Sequence, residues 1–328
     1  MIYRVGMIGM DGHTGYTLSP LPKMENARLF AVTCTDEKQI RELKASKAYH
    51  PEVKIYTDYH EMLEKESLDI ACVYLPNYRH VEGVLAAVAA GAHVYSEKPL
   101  SITLEGLEQV KAAVSKAGVK LSMMLAMRGD GPYQKVHQLV RQGVVGEVAH
   151  CTAQKSYKVG KRDDWETHRA TLGGMIPYIA CHALDLIRWT TGLEFVRGGA
   201  FHNNVSGPGM GETENTANLI LLANNGATIS TRLDYLRPEI ATTWGDDRLR
   251  VAGPEGVIEV QRETVTLITQ SQALHTVDPA PPVSQFVNFI AAIEGREPLL
   301  VPTEDCYRIT EVVLKLRDAA DRQVIVDL

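Results

Sequence analysis

Six short apolar runs, each followed by a segment of helical periodicity, occupy the first 125 residues and leave few folds open. The runs are Tyr3 to Ile8, Leu29 to Thr33, Lys54 to Thr57, Ile70 to Leu75, His93 to Ser96 and Val119 to Ala126. Ile70 to Leu75 is apolar throughout, as expected of a parallel strand buried on both faces. The segments between carry apolar residues three and four apart. Ile40 and Leu43 follow the second run, Val81, Val84, Leu85 and Val88 the fourth, and Leu104, Leu107, Val110 and Val114 the fifth. Strand and helix alternating six times specify an α/β fold with a doubly wound parallel sheet.

From Pro132 the texture changes. A helix through Val136, Leu139 and Val140 precedes the strand Val148 to Tyr157, and a polar loop with Trp165, His168 and Arg169 leads to a helix from Ile176 to Thr191. Long strands follow at Phe195 to Val205 and at Ala217 to Leu236, the second folded at Asn224-Asn225-Gly226, a strong hairpin turn. Further strands, Arg248 to Ala252 and Val257 to Ile268, complete a mostly antiparallel sheet, and two helices end the chain. The reading divides the chain into domains at 1–125 and 126–328.

Bulk properties exclude several function classes. A chain of 328 residues with 45% hydrophobic and 23% charged residues can bury a sizeable core. Its net charge of −6 argues against nucleic acid or an anionic membrane as main partner. The five cysteines are scattered without metal or redox spacing, so no metal site is expected and a reducing, cytoplasmic setting fits best. No secretory signal pattern opens the chain, and no apolar run is expected to span a bilayer.

The stretch Ser96-Glu97-Lys98-Pro99 carries the chemistry. A lysine at the C-terminal end of a parallel strand faces the crevice where open α/β sheets bind ligands. After the first strand, Gly9-Met10-Asp11-Gly12-His13-Thr14-Gly15 lets backbone amides approach a pyrophosphate, with Gly12, His13 and Thr14 expected to face it. Its spacing is G-x-x-G-x-x-G, so Asp11 and Thr14 occupy two glycine positions of the commoner fingerprint. The end of the second strand, where a ribose-binding acid is expected, reads Cys34-Thr35-Asp36, and Asp36 is equally a helix N-cap. NAD and NADP therefore both stay open, with a slight lean to NAD. Asn77 is a good N-cap for the helix after Pro76, and His80 has solvent exposure as its plain alternative.

The helix Ile176 to Thr191 places Tyr178, His182, Asp185 and Trp189 at steps of four, three and four, on one face. That stripe is too polar for plain core. It suits an active-site wall, where a histidine opposite Lys98 completes an acid/base pair, or a hydrogen-bonded interface.

Read together, these features resemble the glucose-fructose oxidoreductase / inositol dehydrogenase / MocA family of NAD(P)-dependent oxidoreductases. The carriers are the loop Gly9 to Gly15, Pro76-Asn77 with His80, Ala90-Gly91 before Glu97-Lys98-Pro99, and Gly146-Glu147-Val148. Gly173-Gly174 with His182-Ala183-Leu184-Asp185, Asp246 to Leu249, and Gly253 with Gly256 complete them. The resemblance implies a Rossmann domain plus a C-terminal α/β domain whose large open sheet makes a homodimer or homotetramer. It also implies hydride transfer between a nicotinamide and a secondary alcohol or ketone of a sugar, polyol or derivative. In its terms Lys98, His182 and Tyr178 are catalytic, and Lys98, Trp165, His168, Tyr178, His182 and Asp185 meet substrate. Gly9, Asp11, Gly12, His13, Thr14, Cys34, Thr35, Asp36, Leu75, Pro76, Asn77, His80, Glu97, Lys98 and Arg128 meet the cofactor. The family has an aspartate four residues before its histidine, and here that position is Tyr178. A redox-neutral lyase or glycosidase using NAD, and a cofactor-binding regulator without turnover, are the alternatives.

Overall fold

Residues 2–205 and 210–328 are described by the structure, a computed structural model. The chain forms two compact units, residues 1–126 with 284–307, and residues 127–283 with 308–328.

The first unit holds a six-stranded sheet: β1 Tyr3–Ile8, β2 Ala27–Thr33, β3 Lys54–Tyr56, β4 Ile70–Val73, β5 His93–Ser96 and β6 Leu121–Met123. Its order is β3-β2-β1-β4-β5-β6 and every pairing is parallel. The order reverses between β1 and β4, which opens the crevice that such sheets use for ligands. Both loops leaving that point, after Ile8 and after Val73, carry residues singled out from the sequence. The sixth strand is shorter than expected, and the chain turns into a 3₁₀ segment at Ala126–Gly129.

Residues 284–307 return to this unit, which corrects the boundary read from the sequence. The reason is hydrophobic. Phe286, Phe289 and Ile290 are wholly buried in the same core as Val5, Met7 and Tyr95. The Tyr95 ring lies 5.3 Å from that of Phe286 and 5.6 Å from that of Phe289. Burying each such ring stabilises by roughly 1.5–3 kcal/mol, and Gln285 fixes the register by donating to Met123 O at 2.6 Å.

The second unit is built on a nine-stranded sheet: β7 His150–Ser156, β8 Phe195–Asn203, β9 Thr216–Ala223, β10 Thr228–Asp234, β11 Arg248–Gly253, β12 Gly256–Gln261, β13 Thr264–Thr269, β14 His275–Val277 and β15 Val326–Asp327. The order is β14-β13-β12-β11-β7-β10-β9-β8-β15, and only β7 with β10 is parallel. The β9–β10 hairpin turns at Gly226, whose φ of +88° suits a residue without a side chain. Strict alternation of buried and exposed residues along β9 leaves one face covered and one open. The helices Gly131–Arg141 and Cys181–Thr191 pack on each other and on the sheet.

The segment Arg169–Thr191 is long and apolar enough by composition to cross a membrane, contrary to expectation, yet 78% of its most apolar 18-residue stretch is buried within the protein. Its composition reflects a core helix. The expected helix from Ile176 is also not uniform. Ile176–Ala180 forms a π-helical turn before the α-helix begins at Cys181. Tyr178 lies within this wider turn, ahead of the α-helix that carries His182.

Candidate active site

In the first unit the glycine loop closes against the end of β5. Gly9 has φ +82°, and a Cβ there would lie 2.3 Å from Tyr74 O, so only glycine fits. Asp11 N donates to that same carbonyl at 2.9 Å. The buried Glu97 carboxylate grips the loop, accepting from His13 N at 3.1 Å and from His13 Nδ1 at 3.2 Å, and from Lys98 N at 3.2 Å. Burial would raise the Glu97 pKa, but His13, Lys98 and His80 together hold it down to about 2. The His13 amide is thus engaged by protein. Those of Gly12 and Thr14 donate to no acceptor among the described residues, which suits an anion at this loop.

Lys98 follows directly, buried at the end of β5, and its peptide bond to Pro99 is cis. His80, read as an exposed residue in its plain alternative, is wholly buried. Its Nδ1 lies 2.6 Å from Pro99 O and its Nε2 2.7 Å from Leu75 O. Only an imidazolium donates to both, while burial pushes the histidine pKa down. Either way the ring ties the turn after β4 to the Lys98-Pro99 turn, the two borders of the crevice. Asn77 opens a 3₁₀ turn ahead of the helix His80–Ala89, which begins two residues later than expected.

The strand end after β2 offers less than its position suggested. Cys34 is buried, its Sγ 3.6 Å from Met10 Sδ, and burial raises its pKa to about 11. Asp36 caps its helix by accepting from Gln39 N at 2.8 Å, and Thr35 N donates to Gln39 Oε1 at 2.8 Å. Thr35 and Asp36 are exposed and stay available to a ribose, whereas the Cys34 sulfur does not face solvent.

In the second unit the polar stripe divides. Asp185 and Arg128 form a two-bonded ion pair, Nε to Oδ2 at 2.8 Å and Nη2 to Oδ1 at 2.5 Å, with side chains 2% and 1% exposed. The guanidinium also lies 5.6 Å from the Trp189 ring, which stacks on His137 at 4.0 Å. Arg128, expected to meet cofactor, and Asp185, expected to meet substrate, are thus paired with each other. A buried guanidinium needs a carboxylate at hand, and each residue satisfies the other.

Tyr178 and His182 remain partly exposed. The Tyr178 hydroxyl donates to Glu166 Oε1 at 3.3 Å, and the same oxygen accepts from Arg162 Nη1 at 2.9 Å. Arg162 in turn lies 4.6 Å over the Tyr235 ring. Glu166 also accepts from Asp163 N at 2.9 Å and closes a capping box. Glu166 and Arg162 were missed in the sequence. The Asp163-x-x-Glu166 spacing was the signal that could have found them. Beside them, Trp165 Nε1 is buried with no acceptor among the described residues, an unsatisfied donor. His168 sits apart, its Nδ1 2.9 Å from Asp164 O and half its side chain exposed.

Known proteins share these features. Residues 3–125 match the model of an oxidoreductase family with an NAD-binding Rossmann fold, and residues 133–259 match the GFO/IDH/MocA C-terminal domain. A proposed oxidoreductase from Thermotoga maritima is 33% identical, with a TM-score of 0.94 over 99% of this chain and 100% of that one. An aldose-aldose oxidoreductase from Caulobacter crescentus, solved with glycerol, is 25% identical with a TM-score of 0.86 over the full length of both. Among curated proteins, a myo-inositol 2-dehydrogenase of Thermotoga maritima is 27% identical over 82% of this chain and 79% of its own length. The chain spans about half the length of an inositol 2-dehydrogenase of Pseudomonas fluorescens, 31% identical over 53% of this chain. Two domain models in order and a full-length relative place the chain in the Gfo/Idh/MocA family of oxidoreductases.

Proposed function

We propose that this protein is an NAD(P)-dependent dehydrogenase that interconverts a secondary alcohol and a ketone on a sugar, polyol or derivative. One observation carries the reading. The glycine loop after β1 and the Glu97-Lys98 turn after β5 are joined by a buried carboxylate at the switch point of a parallel sheet. The residues fit a dinucleotide, since Gly9 tolerates no side chain and the Gly12 and Thr14 amides are open to a phosphate. When bound, the nicotinamide accepts or returns the hydride.

The chain's own groups handle charge and protons. As hydride leaves a carbinol carbon, the hydroxyl must lose its proton, and a cationic Lys98 stabilises the developing oxyanion. His182, of a residue type that titrates near neutrality, exchanges that proton. Tyr178, with its hydroxyl held by Glu166, orients the substrate, and the Trp165 indole N–H offers a donor to a substrate hydroxyl. NAD is the favoured cofactor over NADP by a narrow margin, because no arginine stands at the end of β2. A cytoplasmic homodimer or homotetramer joined through the open face of the nine-stranded sheet fits two features. All five cysteines are buried, and Ile220 and Phe201 stand exposed on strands of that sheet.

A screen of polyols and sugars with NAD and NADP, followed at 340 nm, tests the reading. On any substrate found, Lys98→Ala lowers turnover by about two or more orders of magnitude and leaves cofactor affinity nearly unchanged. Near-normal turnover in that variant refutes the assignment. A redox-neutral reaction is the second reading, favoured by Tyr178 in place of the family aspartate. It is also favoured by a 2,7-anhydro-N-acetylneuraminate hydratase of Escherichia coli, 25% identical over 62% of this chain. Product formed with catalytic NAD and no lasting change at 340 nm selects it.

A further inference from the structure

The second unit has an open cleft of about 860 Å³ whose lining includes none of Lys98, Tyr178 or His182. That volume lies within the roughly 300–1,000 Å³ common for small-molecule sites. We propose that this cavity binds a neutral sugar ring.

Its walls are built rather than left over. The Trp244 indole is 53% exposed yet held in place, because at Gly160 a Cβ would lie 2.3 Å from its Cη2. The Tyr157 ring uses a second slot, where a Cβ on Gly245 would come within 2.7 Å of it. On the opposite side the segment 279–283 lies against the start of the helix Gly131–Arg141. Ala280 N donates to Gly131 O at 3.1 Å and Val283 N to Gly129 O at 2.8 Å. A Cβ on either glycine would sit 2.3 Å from a carbonyl oxygen of that segment. A further wall is the turn Arg262-Glu263, where both residues have positive φ, 49° and 67°. Such backbone is disfavoured by about 1–3 kcal/mol per residue and persists where the surroundings impose it.

The chemistry selects the ligand. Asp247 Oδ2 accepts from Lys155 Nζ at 2.7 Å and from the Tyr157 hydroxyl at 3.3 Å, while its buried Oδ1 has no donor among the described residues. Asp130 stands at a helix N-cap position without capping any amide. It lines the cavity and keeps an exposed surface. Burial mainly raises its pKa to about 6, against Lys155 and with Asp247 and Glu263. The lining therefore mixes acceptors (Asp130, Asp247, Glu263) with a donor (Arg262). Anions need only donors and amines only acceptors, whereas sugar hydroxyls use both. The indole and phenol faces suit the apolar C–H face of a pyranose.

Saturation-transfer NMR on the full chain tests this. The probes are the methyl glycosides of glucose, galactose and mannose, with glucosamine and glucose 6-phosphate as charged competitors. At least one neutral glycoside should bind, and Trp244→Ala should weaken it at least tenfold. Asp130→Asn, the milder variant, should weaken it several-fold, and a Lys98→Ala/His182→Ala double variant should retain it. Turnover assays separate the two sources of such a ring. A disaccharide KM that rises in Trp244→Ala while the monosaccharide KM holds marks a second residue of the substrate. Binding with no KM change marks a free sugar at its own site. The proposal is overturned if no neutral glycoside binds in a Trp244-dependent way, or if either charged probe binds more tightly. Neither result touches the dehydrogenase reading, which stands or falls on Lys98.

Discussion

Removing the Asp185 carboxylate should destabilise the second unit far more than it disturbs binding. Arg128 and Asp185 are 1% and 2% exposed and joined by two hydrogen bonds. Asp185→Ala leaves a guanidinium buried without a counter-charge, a loss of roughly 3–5 kcal/mol. For domains of roughly 150–250 residues, 1 kcal/mol moves Tm by about 2–4 °C, so the melting transition should fall by about 6–20 °C. Differential scanning calorimetry reads this directly. Replacing both charges, as in Arg128→Met with Asp185→Leu, should recover most of the loss, since an apolar pair of similar volume removes the desolvation penalty. The opposite pattern refutes the reasoning: an Asp185→Ala protein that melts within a degree or two of wild type but shows a many-fold higher KM. Unchanged melting of Arg128→Met with a weakened NAD(P) Kd would do the same.

Other outcomes follow from the first unit. Glu97 is held near a pKa of about 2 in the fold against an ordinary carboxylate value of 4.5. Its stabilisation is therefore complete above pH 4.5 and is lost as pH falls from 4.5 toward 2, by about 2–3 kcal/mol. Urea unfolding at pH 6 and pH 3 should show that loss shrinking by this amount in Glu97→Gln, and an unaltered loss contradicts it. Gly9→Ala meets the Tyr74 carbonyl at 2.3 Å with φ at +82°. It should lower NAD(P) affinity at least tenfold by calorimetry and reduce Tm, and a variant with wild-type affinity contradicts the cradle.

How legible the molecule was depended on whether the signal is local. The buried run Ile70 to Leu75 and the alternation around it announced a parallel sheet, and the strand order then placed Gly9 and Lys98 around one crevice. The helix through Phe286, Phe289 and Ile290 was equally visible as a helix. Nothing local says which core an amphipathic face joins, so its return to the first unit was not read. The same limit applies to Asp185. Its spacing from His182 is correct for one helix face, yet partnership with Arg128 depends on a contact 57 residues away. Cys34 failed for another reason. A strand end was expected to present its side chain to a ribose, but the thiol packs on Met10 in the core. The π-helical turn before Cys181, which contains Tyr178, has no sequence period of its own.

Tyr178 stands at the position of the family aspartate, and the effect of replacing it has a definite sign. The family places an aspartate at this position, so restoring it looks like a repair. Here the repair should fail. Glu166 Oε1 lies 3.3 Å from the Tyr178 hydroxyl and is itself part of a nearly buried pair with Arg162, whose side chains are 13% and 9% exposed. Tyr178→Asp would set a second carboxylate, on a shorter side chain, in the same partly buried site, and like charges sharing a site raise one another's pKa. Turnover of Tyr178→Asp should stay below wild type, with a pH profile displaced upward as one carboxyl holds a proton. Removing the competing charge, in Tyr178→Asp with Glu166→Gln, should return the profile to neutral pH and raise kcat above that of Tyr178→Asp alone. Tyr178→Phe should mainly raise KM, up to about tenfold, because its lost bond to a charged group is worth about 1.5 kcal/mol and lies outside the proton route. A Tyr178→Asp protein that turns over faster than wild type at pH 7 would show that Glu166 does not control this position. The loop 163–167 would then have to be read as a helix cap alone.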